Sequence, residues 1–232
     1  MVRRAALVLA LMLGAAEAAR AGALEGCLRG TERAQIIWAC TLSLETYAQD
    51  KKHLPRILVT RANAYFEDDD FDRAITDYTR AIEARPKLAI AFFGRGGTYY
   101  EKGDFDSAVK DLTRAIEINP RNAHFFYLRA NARATKADQA GAIADYSEAL
   151  RLNPRYDQAY LYRGRAYGLS KQFDRAISDE TRFLATDPAN VEALTIRGSS
   201  FLEKRDIQHA RADFERALKA LKKLPKPKKS KP

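Results

Sequence analysis

The sequence predicts an all-α fold, a solenoid of antiparallel helix pairs, on two grounds. The first is recurrence at a fixed interval. Pro86, Pro120, Pro154 and Pro188 lie 34 residues apart. Three more columns keep step with them: Arg61, Arg95, Arg129, Arg163 and Arg197; Ala74, Ala108, Ala142, Ala176 and Ala210; Asp77, Asp111, Asp145, Asp179 and Asp213. A small residue follows each arginine, in turn Ala62, Gly96, Ala130, Gly164 and Gly198. A period in this range signals stacked supersecondary units, each burying its apolar face on a neighbour. The second ground is spacing. Apolar side chains such as Phe105, Val109, Leu112 and Ile116 recur three to four apart, the period of a helix and not the alternation of a strand.

The chain opens with what reads as an export signal over residues 1–21. Arg3 and Arg4 form a basic flank, Ala5 to Ala16 is an apolar run, and Ala-x-Ala exits follow at Ala16–Ala18 and Ala19–Ala21. The run is shorter than the roughly 20 residues a helix needs to cross a bilayer. A bacterial periplasmic or secreted location is therefore expected. Residues 22–54 read as a degenerate half-repeat that caps the array. Within it, residues 31–50 resemble a second helix of an earlier unit, with Cys40 in the place of Tyr78 and Leu44 in that of Ile82. Cys27 and Cys40 are the only cysteines. An even pair in an exported chain points to a disulfide; the alternative is two separate thiols, Cys40 filling a small core site.

Residues 55–224 divide into five units, 55–88, 89–122, 123–156, 157–190 and 191–224. Each proline sits between the second helix of one unit and the first helix of the next, where no helix continues through it. The small residue after each arginine and the later alanine allow close helix approach. Gly103 and Asp104 mark the turn within a unit, the aspartate serving as N-cap. A pair turning near its middle brings the arginine of the first helix level with the aspartate of the second, so a repeated ion pair is expected. The last residues, 225–232, alternate lysine and proline and read as a disordered tail.

The stretch AFFGRGGTYYEKGDFDSAVKDLTRAIEINP resembles the tetratricopeptide repeat (TPR), and the resemblance extends over residues 55–224. The whole array is similar to exported bacterial TPR proteins. This resemblance implies a right-handed superhelix of helix pairs with a concave groove that grips a peptide or protein partner. It places Val59, Asn63, Phe93, His124, Tyr127, Asn131, Leu161 and Arg165 on the inner face of the first helices. Asn63 and Asn131 suit an extended peptide backbone, and Arg165 suits a carboxylate. The alternative for each is simple helix packing. Relatives that clamp a C-terminal carboxylate carry a lysine where Val59, Phe93, Tyr127 and Leu161 stand, so that clamp is absent.

Three departures from the pattern stand out. The third unit has Arg133 where Tyr65, Tyr99, Tyr167 and Phe201 sit, and KADQ in place of a Gly-Asp-Phe-Asp turn. The fourth has Glu180 where Tyr78, Tyr146 and Phe214 sit, and Phe183 where Ala81, Ala115, Ala149 and Ala217 sit; a carboxylate at a usually buried site requires a partner or solvent. The fifth has Arg211 in a column of Ile and Val, as suits an end unit, and Leu218, Leu221 and Leu224 are expected to stay partly exposed.

The function classes narrow accordingly. No Gly-rich phosphate loop, GxSxG, HExxH or Cys–His pairing is present, so no enzyme, cofactor or small-molecule substrate is expected. His53, His124 and His209 are scattered, and no metal is expected. Of the net charge of +10, the ends hold most: +2 in residues 1–21 and +7 in residues 219–232, leaving +1 for the body. A nucleic-acid-binding body does not follow from that balance. The principal expectation is a scaffold binding a protein or peptide in its groove; the alternative is an anionic-surface or nucleic-acid binder working through the basic tail.

Overall fold

A computed structural model describes residues 22–223. The expected export segment and the Lys/Pro tail lie outside them. All regular structure among the described residues is helical. The helices are α1 (22–29), α2 (Arg33–Tyr47), α3 (Leu54–Glu67), α4 (Phe71–Ala84), α5 (Ala89–Glu101), α6 (Phe105–Ile118), α7 (Ala123–Thr135), α8 (Gln139–Leu152), α9 (Asp157–Leu169), α10 (Phe173–Leu184), α11 (Val191–Glu203) and α12 (Ile207–Leu221). They fall into two compact units, one ending at Pro120 and one beginning at Arg121.

In the first unit, α2 packs on α3, α3 pairs with α4, α4 packs on α5, and α5 pairs with α6. The first helices α3 and α5 also touch. The core is built from Ile57, Leu58, Ala62, Ala74, Tyr78, Ala81 and Ala91. Its outer end is closed by α1 and α2, which a Cys27–Cys40 disulfide joins across 4.6 Å between Cα atoms. Thr41 of α2 accepts from Arg61 at 2.9 Å, as Thr79 accepts from Arg95 at 2.9 Å, so α2 occupies the register of a preceding second helix.

The second unit repeats the plan with α7/α8, α9/α10 and α11/α12, and its first helices touch in series, α7 with α9 and α9 with α11. Two apolar clusters fill it, one around Tyr146 and Ala130, the other around Leu161, Phe183 and Leu194. Phe183 stands where other units have alanine, is buried, and α10 ends one residue later at Leu184. On α12, Leu218 and Leu221 are exposed, as no further helix covers them among the described residues.

The arginine and aspartate columns form one clasp per helix pair. Arg61, Arg95, Arg129, Arg163 and Arg197 each donate Nε and Nη2 to both oxygens of Asp77, Asp111, Asp145, Asp179 and Asp213, at 2.6–2.9 Å. The aspartates are buried. Such bidentate, two-sided pairing is what a buried carboxylate requires. The turns within the pairs share one conformation. Asp69, Gly103, Ala137, Lys171 and Arg205 all have positive φ, between 58° and 80°. Only one is glycine, so the other four hold a left-handed residue at a cost of about 1 kcal/mol each. The aspartate that follows caps the second helix: Asp70, Asp104, Asp138 and Asp206 accept the backbone N–H of Arg73, Ser107, Gly141 and His209. At α10 the position is Gln172, which makes no side-chain cap.

Candidate binding groove

The first helices supply the groove because each keeps one face off its own partner helix. On α3, Asn63 is exposed, and its Oδ1 accepts the phenol of Tyr78 at 2.5 Å. Phe93 on α5 is half-buried. Beside it, Gly94 leaves room for the Tyr78 ring, which a Cβ there would strike. Burial pushes the Tyr78 phenol well above its ordinary pKa, so it remains a hydrogen-bond donor.

The second unit carries the denser surface. His124 and Tyr127 on α7 meet Tyr156, which precedes α9, and Tyr162 on α9. Ring centroids are 4.6 Å apart for Tyr127–Tyr156, 6.0 Å for His124–Tyr127 and 6.1 Å for Tyr127–Tyr162. Tyr156 OH and His124 Nδ1 lie 2.5 Å apart. Partial burial lowers the His124 pKa, favouring the neutral ring. Asn131 is half-buried one turn along α7, and its Oδ1 accepts the phenol of Tyr146 at 2.6 Å. That bond commits the amide oxygen, so the NH2 is the group of Asn131 suited to donate to a peptide carbonyl. Arg165, exposed on α9, lies 5.1 Å over the Tyr162 ring and pairs with Glu192 at the start of α11. Between α9 and α11 a cleft of about 540 Å³ is lined by Arg165, Leu169, Phe173, Thr195, Ile196 and Ser199 among others.

Set against the residues expected from sequence, Asn63, His124, Tyr127, Asn131 and Arg165 all reach the surface of first helices, and Phe93 does so in part. His124, Tyr127, Asn131 and Arg165 share the second unit. Two expectations fail: Val59 and Leu161 are buried, their side chains turned into the helix pairs. Arg165, expected to await a carboxylate, already holds one in Glu192. Sequence reasoning missed Tyr156, Tyr162 and Glu192. A signal was available for the tyrosines, since six of the chain's eleven fall between Tyr127 and Tyr167. Among the described residues no group of His, Cys, Asp and Glu could hold a metal ion, and no helix is long and apolar enough to cross a membrane.

The helix pairs, clasps and inner-face residues define a TPR array. The tetratricopeptide repeat family profile matches residues 59–123, 98–157 and 170–225, and the chain belongs to that family. No curated protein matches it in sequence. Among solved structures it is similar to MamA (24% identity, TM-score 0.67, covering 70% of this chain and 95% of MamA). It is also similar to YrrB, described as a TPR protein with an unusual peptide-binding site (20% identity, TM-score 0.72, covering 80% and 93%). A tetratricopeptide repeat protein from Parabacteroides merdae is a third (15% identity, TM-score 0.70, covering 88% and 79%). At these identities the likeness establishes the fold.

Proposed function

We propose that this chain is an exported, non-catalytic scaffold that holds an extended or helical segment of a protein partner against its first helices. The observation that carries the reading is the surface on α7 and α9. It brings several aromatic rings, one amide and one ion pair together at the surface. Aromatic rings offer large contact area at small entropic cost, and an amide fixes a backbone register, so a peptide with apolar or aromatic anchors fits. The peptide-binding site of the similar YrrB supports a peptide ligand here. Export to the periplasm or beyond is supported by the pattern of residues 1–21 and by the paired Cys27 and Cys40 just after it.

The test is capture of the native partner by the full chain and by Tyr127→Ala. Removing this ring is expected to weaken capture about tenfold or more. Helical circular dichroism and the melting transition should stay near wild type, because the ring is only half-buried. Unchanged capture overturns the groove reading. N-terminal sequencing of the protein from its host checks export: a mature start after Ala18 or Ala21 is expected, and intact Met1 contradicts it.

A further inference from the structure

One register of the repeat places two side chains in reach of each other across a helix pair. In two of the pairs the residues fifteen apart, Asn63 with Tyr78 and Asn131 with Tyr146, are hydrogen-bonded. In the α9/α10 pair the same register carries Arg165 and Glu180. Together they match an asparagine and a tyrosine in reach, so the guanidinium and carboxylate have a built path to contact. Yet Arg165 is turned away, stacked over Tyr162 and paired with Glu192. Glu180 is left fully buried, and neither of its oxygens has a hydrogen-bond partner. The carboxylate rests on the backbone of α9 at Gly164, where a Cβ would collide with Oε1.

The charged groups around Glu180 can be counted. On its own helix is Asp179, which Arg163 of α9 clasps. From α11 comes Arg197, clasped to Asp213, and from α9 Arg165, which pairs with Glu192. With Arg163 and Arg197 committed to aspartates and Arg165 to Glu192, Glu180 has no guanidinium of its own. Burial first, and the neighbouring Asp179 second, push Glu180 up to about 9, so it stands as the neutral acid near pH 7.

We propose that Arg165 has two seats, Glu192 and Glu180, and that this end of the groove takes a cationic side chain of the partner, lysine or arginine, onto Glu192 while Arg165 moves inward onto Glu180. The proposal rests on the groove reading above and names its ligand chemistry. The step balances: the ligand cation replaces Arg165 on Glu192, Arg165 pairs with Glu180, and the Glu180 proton leaves to solvent. A ligand carboxylate is the poorer fit. It would be a third acid competing for one guanidinium and would leave Glu180 without a part. With a ligand cation, two positive charges, its own and that of Arg165, face two negative ones. The adjoining cleft, with Leu169, Phe173 and Ile196, accepts an apolar neighbour of that cation.

The probe is the peptide acetyl-Gly-Leu-Lys-Leu-Gly-amide, with glutamate in place of lysine as the control, titrated into the full chain. Calorimetry in two buffers of different ionisation enthalpy counts protons, and the ¹³C carboxyl shift lost in Glu180→Gln reports Glu180. Expected results are a protonated Glu180 without probe, release of one proton on binding, and affinity rising about tenfold per unit between about pH 6 and 8. The sign follows because the free state holds the proton and the bound state does not. Glu180→Gln keeps the shape of the neutral acid and should abolish the pH slope, while Glu192→Gln should weaken the lysine peptide about tenfold or more. Preference for the glutamate control, an ionised Glu180 without probe, or no Glu180 response up to about 10 mM peptide each overturns the proposal. If these fail while Tyr127→Ala still impairs capture of the native partner, the cation seat is wrong and the groove stands.

Discussion

The α7/α8 and α9/α10 pairs both depart from the repeat, and they do so differently. In α7/α8 an arginine replaces an aromatic residue, but Arg133 donates to Asp145 at 2.9 Å and to the Gly141 carbonyl, and Gly141 leaves space beside Asp138. The change is absorbed within the pair, and Asp138 still caps α8. In α9/α10 the corresponding compensations are absent: Glu180 is buried without a partner, and Gln172 does not cap α10. Where a departure is compensated, folding accounts for it. Where it is not, the residue answers to something besides folding, and here that residue lies beneath the charged end of the groove.

The strongest way to break this comparison is at the clasps. Asp145→Asn leaves both Arg129 and Arg133 facing a neutral amide in a mostly buried site, and a loss of about 3–5 kcal/mol is expected. Asp179→Asn leaves only Arg163 and should fall at the lower end of that range. Urea unfolding midpoints at constant m-value check the order; equal losses would show that Arg133 is not held by Asp145.

Next comes Glu180. Its folded pKa of about 9 exceeds its unfolded value of 4.5, so between these the folded state holds a proton that the unfolded state lacks. Its contribution is therefore fully present below about pH 4.5, is lost progressively as pH rises toward 9, and is flat above. Glu180→Gln removes this dependence: it should be near neutral in acid and stabilising by several kcal/mol at alkaline pH. Identical stability–pH curves for the two proteins would contradict it.

Smaller effects sharpen the contrast. Gln172→Asp supplies the missing cap and should stabilise by about 1 kcal/mol, whereas Asp138→Ala should cost a similar amount. Ala137→Gly relieves the left-handed turn before α8 and should stabilise by about 0.5–1 kcal/mol, read as a rise in Tm.

How much of this was legible in the sequence depends on whether a residue repeats. The clasp, the alanine contacts and the caps were readable because a feature seen four or five times averages out local noise. The site was readable only in outline. Asn63, His124, Tyr127, Asn131 and Arg165 were placed on the inner face by the family resemblance and reach the surface of first helices, but Val59 and Leu161, placed there by the same resemblance, are buried, because a first helix also packs on its own second helix. Tyr156 lies before α9, where helix periodicity gives no guidance. The pairing of Arg165 with Glu192 rather than Glu180 is a choice between two seats, and sequence spacing favours neither.

The clasps reach further than one pair. Arg163 and Arg197 each spend their remaining nitrogen, Nη1, on a hydroxyl of the preceding second helix, Ser147 and Thr181. Every junction of this kind asks the same question of its neighbour. A tandem copy of residues 157–190 inserted after Asn190 would bring its own arginine to Thr181 and its own threonine to Arg197, closing both seams with bonds already in use. An insertion that is not a whole number of such units would strand a guanidinium. Gene duplication can thus lengthen or shorten such a chain in whole steps, and a designer wanting a longer receptor has the splice points already marked.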